Sequence, residues 1–148
     1  FPATSPYVTA VGGTFGPENN DPEVTCTSDA GGVITSGGGF SFMYSTPSWQ
    51  QSQVTGYFNQ VLKTSSNVKP VPGYNSQGRG YPDVSAMAAS YAVMVNGNLT
   101  GVYGTSASSP VVAGMISLVN SARVAAGKSN LGWINPSLYQ YQNQIIKN

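Results

Sequence analysis

The run Gly104-Thr105-Ser106-Ala107-Ser108-Ser109-Pro110 leads straight into a long apolar stretch, Val111 to Ala126. Small residues followed by a helix-forming run set a serine hydroxyl at the start of a helix. There the first-turn N–H groups lack intrahelical acceptors and the helix dipole is positive. A substrate backbone can approach a Gly-Thr-Ser turn closely, and negative charge that forms there meets free N–H donors. That arrangement suits acyl transfer, with Ser106 as nucleophile and Gly104 and Thr105 lining the path of the substrate. The competing role is a plain helix cap, which Ser and Thr commonly fill. What favours chemistry is the helix. From Ala107 to Asn120 it carries no charge, and Val111, Val112, Met115, Ile116, Leu118 and Val119 spread around most of its circumference, the pattern of a buried helix. A serine at the tip of such a helix calls for a reason, and a catalytic cleft supplies one.

The elements that must hold this turn follow from spacing. The helix is expected from about Ala107 to Ala126, roughly 30 Å long, stopped by Gly127 and tolerating Pro110 in its first turn. Tyr91 to Asn96 and Leu99 to Tyr103 read as a hairpin turning at Gly97-Asn98, which delivers the chain into Gly104-Thr105-Ser106. Strand, tight turn and helix together present a nucleophile. Near the start, Tyr7 to Val11 alternates and reads as a strand ended by Gly12-Gly13. A Gly-, Asn- and Pro-rich loop from about Gly16 to Gly32 holds every acid except Asp83. The glycine run Ser36-Gly37-Gly38-Gly39-Phe40-Ser41 offers backbone freedom without a phosphate-loop pattern. Trp49 to Leu62 is expected as a helix capped by Ser48, with Trp49, Gln53, Tyr57, Val61 and Val54, Phe58, Leu62 forming a core-facing stripe. A loop then runs through Gly80, and Tyr81 to Ala86 opens a buried segment. Asn135, as cap, and Pro136 begin a final helix reaching about Ile146. Asp83 reads as a structural acceptor of backbone or Arg79 hydrogen bonds rather than a catalytic acid.

Composition narrows the partners. The chain has 148 residues, 40% hydrophobic but only 7% charged, against about 25% charged in an average soluble domain. Its six Lys and Arg are scattered, which argues against nucleic acid, and no apolar run reaches the roughly 20 residues a bilayer requires. There is no histidine, so a Ser-His-Asp triad cannot be completed from this chain. Cys26 stands alone, so no metal site is expected within the chain; the thiol is either free or paired with a cysteine elsewhere. Asn98-Leu99-Thr100 is a glycosylation sequon at the expected hairpin surface, which marks Asn98 for a glycan. Phe1-Pro2-Ala3 reads as the start of a mature, processed or excised piece.

Four blocks carry a resemblance: Phe1 to Thr14, Ser36 to Ser41, Gly78 to Val84 and Gly104 to Pro110. In this order they resemble the sedolisins, the serine-carboxyl peptidases; subtilisins share a similar Gly-Thr-Ser-x-Ala-Ser-Pro turn. The resemblance implies an α/β fold, a subtilisin-like parallel sheet flanked by helices, with residues 1–148 forming an internal or C-terminal portion of a single catalytic domain incomplete at both ends. It implies a Ser-Glu-Asp triad with Ser106 as the serine, and an aspartic acid at the oxyanion. The Glu, its Asp partner and the oxyanion Asp are expected before Phe1, and calcium is expected with ligands beyond Asn148. Tyr103 departs from the small residue usual in the family, and its bulk would narrow the substrate groove. The missing histidine fits, because a glutamate can take the serine proton at acid pH, and an aspartic acid donates to an oxyanion only while protonated. The expected partners are a peptide or protein substrate and the remaining segments of the same catalytic domain, in the same chain or as a separate chain. The expected setting is a lysosome-like acidic compartment or the cell exterior. Two other readings stay open: a non-catalytic secreted homologue of the same fold, and a subtilisin-type peptidase with a histidine upstream.

Overall fold

The computed structural model describes residues 1–64 and 70–145. Along the chain lie β1 (Val11–Phe15), β2 (Val24–Thr25), β3 (Gly39–Ser45), α1 (Gln51–Thr64), β4 (Gly78–Tyr81), β5 (Val84–Met87), β6 (Tyr91–Val95), β7 (Asn98–Val102), α2 (Thr105–Ala125), α3 (Asn135–Gln140) and α4 (Gln142–Ile145). They divide between two compact units, one of residues 10–37 and 82–131, the other of residues 1–9, 38–81 and 132–148.

The first unit bears Ser106. Its sheet has the order β2-β1-β5, with β1 and β5 parallel from Val11 opposite Val84 to Thr14 opposite Met87, and β2 antiparallel at the edge. Parallel neighbours need a long crossover, and here the whole second unit's central segment intervenes in sequence between them. The strand expected at Tyr7 to Val11 instead begins at Val11, and Gly12-Gly13 lie inside it. The reason is close packing. A Cβ on Gly13 would stand 2.6 Å from Ala88 Cβ and 3.2 Å from Thr105 Cγ2, so glycine here lets a strand and a helix start approach rather than ending the strand. The expected loop of residues 16–32 contains β2 and two single 3-10 turns. Cys26 is fully buried, its thiol donating to Ile34 O at 3.2 Å, and no second cysteine lies in the chain.

β6 and β7 form a separate hairpin, Tyr91 opposite Val102 and Val95 opposite Asn98. Its turn is Asn96-Gly97, one residue before the expected Gly97-Asn98. Both turn residues have positive φ, 49° and 80°, as a two-residue type I′ turn demands, and Asn-Gly is the pair best suited to it. The sequence offered both dipeptides, and backbone handedness chose the first.

α2 packs on β1 and β5. It starts two residues before the expected Ala107, since Gly104 is the residue that precedes it, and spans about 31 Å at the α-helical rise. The expectation of a buried helix is not met within this chain: Ser108 is its one fully buried residue, while Met115, Leu118, Val119 and Val124 are exposed. An all-round apolar helix needs cover on every side, and the β1–β5 pair supplies it on one.

The second unit is aromatic. β3 and β4 pair antiparallel, so residues 78–80, expected as the end of a loop, belong to a strand that runs on to Tyr81. Residues 65–69 of that loop lie outside the described set. α1 begins at Gln51, not Trp49, after a turn in which Gln50 rather than Ser48 stands next to the helix. The stripe is partly realised: Val54 is buried, Phe58 packs on Phe40 at 4.8 Å and on Tyr74 at 5.4 Å, and Trp49 meets Trp133 and Tyr139. Val61 and Leu62 are outside the side chains described. Polar groups are buried too. Gln50 exchanges two hydrogen bonds with Gly80, and the fully buried Arg79 donates to Val8 O at 2.9 Å. Asn135 was expected to cap the last helix, but Ile134 holds that position and Asn135 is fully buried. Its amide donates to Pro6 O and Val8 O, and its carbonyl oxygen accepts from Thr9. The helix itself breaks at Tyr141 into α3 and α4; the expected end at Ile146 lies outside the described residues. No helix among the described residues is long and apolar enough to cross a membrane.

Candidate active site

Ser106 stands second in α2, exposed, and its side chain makes no hydrogen bond among the described residues. A hydroxyl buried in packed side chains could not attack anything; among the described residues none covers this one. It arrives there through a backbone only glycine adopts comfortably, Gly104 at φ 127° and ψ 157°. That conformation turns the chain from the β7 direction into the helix within one residue. No side chain caps α2, so the first-turn N–H groups of Thr105 and Ser106 have no intrahelical acceptor and remain available to an oxyanion.

Two hydrogen bonds fix the turn to the end of β5. The Gly104 N–H donates to Ala88 O at 2.7 Å, and the Ser108 hydroxyl donates to Met87 O at 2.8 Å. The peptide between those two carbonyls is held from the other side as well, because the Ala88 N–H donates to Thr14 O of β1 at 2.7 Å. Thr105 contributes its methyl to the floor, opposite Gly13. Strand end, glycine turn and helix start thus form one hydrogen-bonded block, all within the first unit.

The other residues singled out from sequence fall as follows. Tyr103 directly precedes Gly104 and is 48% exposed; its ring tip lies over Gly101, where a Cβ would be 3.8 Å from Oη. Gly104 and Thr105 are half-buried. Asn98 is exposed at the first residue of β7, immediately after the hairpin turn. Asp83 accepts the Ala10 N–H at 2.8 Å, the structural part read for it. Burial raises the Tyr91 phenol above its ordinary value.

Among the described residues no group of three or more His, Cys, Asp or Glu is placed to hold a metal ion. Nor does a carboxylate hydrogen-bond to Ser106 among them. Sequence reasoning missed Ser108. Its signal was a second hydroxyl two residues after Ser106, hence on the opposite side of the helix, within an otherwise apolar run.

Comparison with known proteins gives a consistent result. The model of the subtilase family matches residues 1–133. Tripeptidyl-peptidase SED1 of Arthroderma otae is 44% identical over 99% of the chain and 24% of its own length. Tripeptidyl-peptidase 1 of Rattus norvegicus is 45% identical over 95% of the chain and 23% of its length. The chain therefore spans about a quarter of these relatives. Among solved structures, a Pseudomonas sedolisin, a serine-carboxyl proteinase complexed with two molecules of pseudo-iodotyrostatin, superposes with a TM-score of 0.65 at 28% identity, covering 98% of the chain and 36% of that protein.

Proposed function

Because the chain belongs to the subtilase family, and within it to the sedolisins, the serine-carboxyl peptidases, we propose that it carries the nucleophile of an acid-active peptidase. The observation that carries this reading is the exposed Ser106 hydroxyl on the uncapped first turn of α2. In the full-length protein Ser106 Oγ attacks the carbonyl carbon of a peptide bond, and its proton passes to a glutamate base oriented by an aspartate. The developing oxyanion accepts hydrogen bonds from the Ser106 N–H and from a protonated aspartic acid. The amine leaves with a proton returned by the base, and water then hydrolyses the acyl-enzyme. All three carboxylic residues belong to the parts of the catalytic domain that residues 1–148 do not include.

Gly104 and Thr105 form the wall along which a peptide or protein substrate lies, and Tyr103 narrows it. The open apolar face of α2 is where the remaining segments of the catalytic domain pack. Calcium, if the full-length protein binds it as its family does, is held by residues other than those described. Asn98 is glycosylated, in keeping with a secreted or lysosome-like acidic setting.

The test is hydrolysis of a peptide substrate by the full-length protein across pH. Turnover is expected to rise toward acid pH, where an aspartic acid can stay protonated as an oxyanion donor. Ser106→Ala should lower kcat on the order of 10⁶-fold with an unchanged thermal transition. Activity retained in that variant, or confined above neutral pH in the wild type, would overturn the reading.

A further inference from the structure

Resting on that reading, we propose that Ser108 is a positioning residue for the reaction, one that aims Ser106 by anchoring the first turn of α2 to the end of β5. Ser108 is the only fully buried residue of a 21-residue helix. A buried hydroxyl must find a partner, and this one has a single acceptor within its unit, Met87 O at 2.8 Å. At about 100° per residue, positions 106 and 108 stand about 200° apart around the helix. Pulling Ser108 onto the sheet therefore turns Ser106 outward.

The anchor is rigid because its other end is rigid. Met87 pairs with Thr14 across the parallel ladder, and the Ala88 N–H donates to Thr14 O. Ala88 and Ala89, which follow, are almost wholly buried. The second tie, from Gly104 N–H to Ala88 O, holds the turn before Ser106 as Ser108 holds the turn after it. Ser106 thus sits between two hydrogen bonds to consecutive carbonyls. The Gly104 bond is made by the backbone, whereas the Ser108 bond is made by a side chain and can be removed without touching the backbone. Removal would take the Ser108 donor from Met87 O and free the first turn to roll about the helix axis. A nucleophile displaced by about 1 Å can lose about 100-fold in rate.

The experiment compares Ser108→Ala and Ser108→Thr in the full-length protein, with Ser106→Ala alongside, well below the thermal transition and normalised to folded protein by circular dichroism. Ser108→Ala should lower kcat about 10- to 100-fold while KM stays within about twofold, because peptide binding does not require the aimed hydroxyl. Ser108→Thr, which keeps the donor, should recover kcat to within about threefold of wild type. Wild-type kcat in Ser108→Ala, or equal loss in a folded Ser108→Thr, would overturn the proposal, as would failure of both variants to fold, which would make the role purely structural. If Ser106→Ala is inert while Ser108→Ala is fully active, only the positioning role falls. Turnover by Ser106→Ala would instead remove the peptidase reading beneath it.

Discussion

The first turn of α2 and the later turns of the same helix are held by different physics. At the front, Ser108 is fully buried, two hydrogen bonds run to β5, and Ser106 alone faces outward. Further on, Met115, Leu118 and Val124 are each more than half exposed. Covering side chains of that size stabilises a fold by about 1.5–3 kcal/mol apiece, so the rear of the helix is stabilising surface still awaiting its cover. The front needs none. The position of Ser106 is set within residues 13–14, 87–89 and 104–108, while the endurance of the helix depends on what packs against its back.

The sharpest way to break this contrast is to disturb the front without removing any chemical group. Gly104→Ala adds one methyl where φ is 127°, a region that costs a non-glycine residue about 1–3 kcal/mol. The turn would relax toward an ordinary conformation and carry Ser106 with it. In the full-length protein kcat should fall about 100-fold, accompanied by a lower Tm. Unaltered kcat would mean that the glycine turn does not set the serine's position, and that the front of the helix is no better defined than the rear.

How much of this was readable beforehand divides along the same line. The exposed serine at a helix start, the helix lengths within a few residues, the hairpin and the structural part of Asp83 all follow from patterns a few residues long. The errors arise where a distant residue decides. Gly12-Gly13 look like a strand end until Ala88 is seen against Gly13, a neighbour far away in sequence. Asn135 looks like a cap until the carbonyls of Pro6 and Val8 claim its amide. The hairpin register slipped by one because Asn96-Gly97 and Gly97-Asn98 are both turn pairs and only backbone handedness separates them. For α2, charge-free periodicity correctly says that every face wants cover, but periodicity carries no information about which chain provides it. The sedolisin resemblance, in contrast, was legible because its four blocks record packing that local patterns cannot.

The rear of the helix can be tested next. Leu118→Ala removes a side chain that is 74% exposed in these residues taken alone. If the rest of the catalytic domain covers it, the full-length protein should lose about 2–5 kcal/mol in denaturant unfolding, the range for truncating a buried leucine, with kcat per folded molecule unchanged. A change within about 0.5 kcal/mol is what a surface site gives, and would show the face to be open in the whole protein too. The result discriminates cleanly because the two regimes do not overlap.

The smallest effect is expected at the far end of the hairpin that feeds the turn. Asn98 begins β7 and Val102 ends it, so the strand links a solvent-exposed sequon to the residue before Tyr103. If the two hydrogen bonds to β5 isolate the first turn of α2, events at Asn98 should not reach Ser106. Asn98→Gln in the full-length protein from a glycosylating host should lose the mass of one glycan, measured on the intact protein, and shift stability by no more than about 0.5 kcal/mol. Its kcat and KM should match those of wild type. A fall in kcat without loss of fold would mean that strain passes along β7 into the glycine turn, and that the front of α2 is aimed by the hairpin as much as by β5.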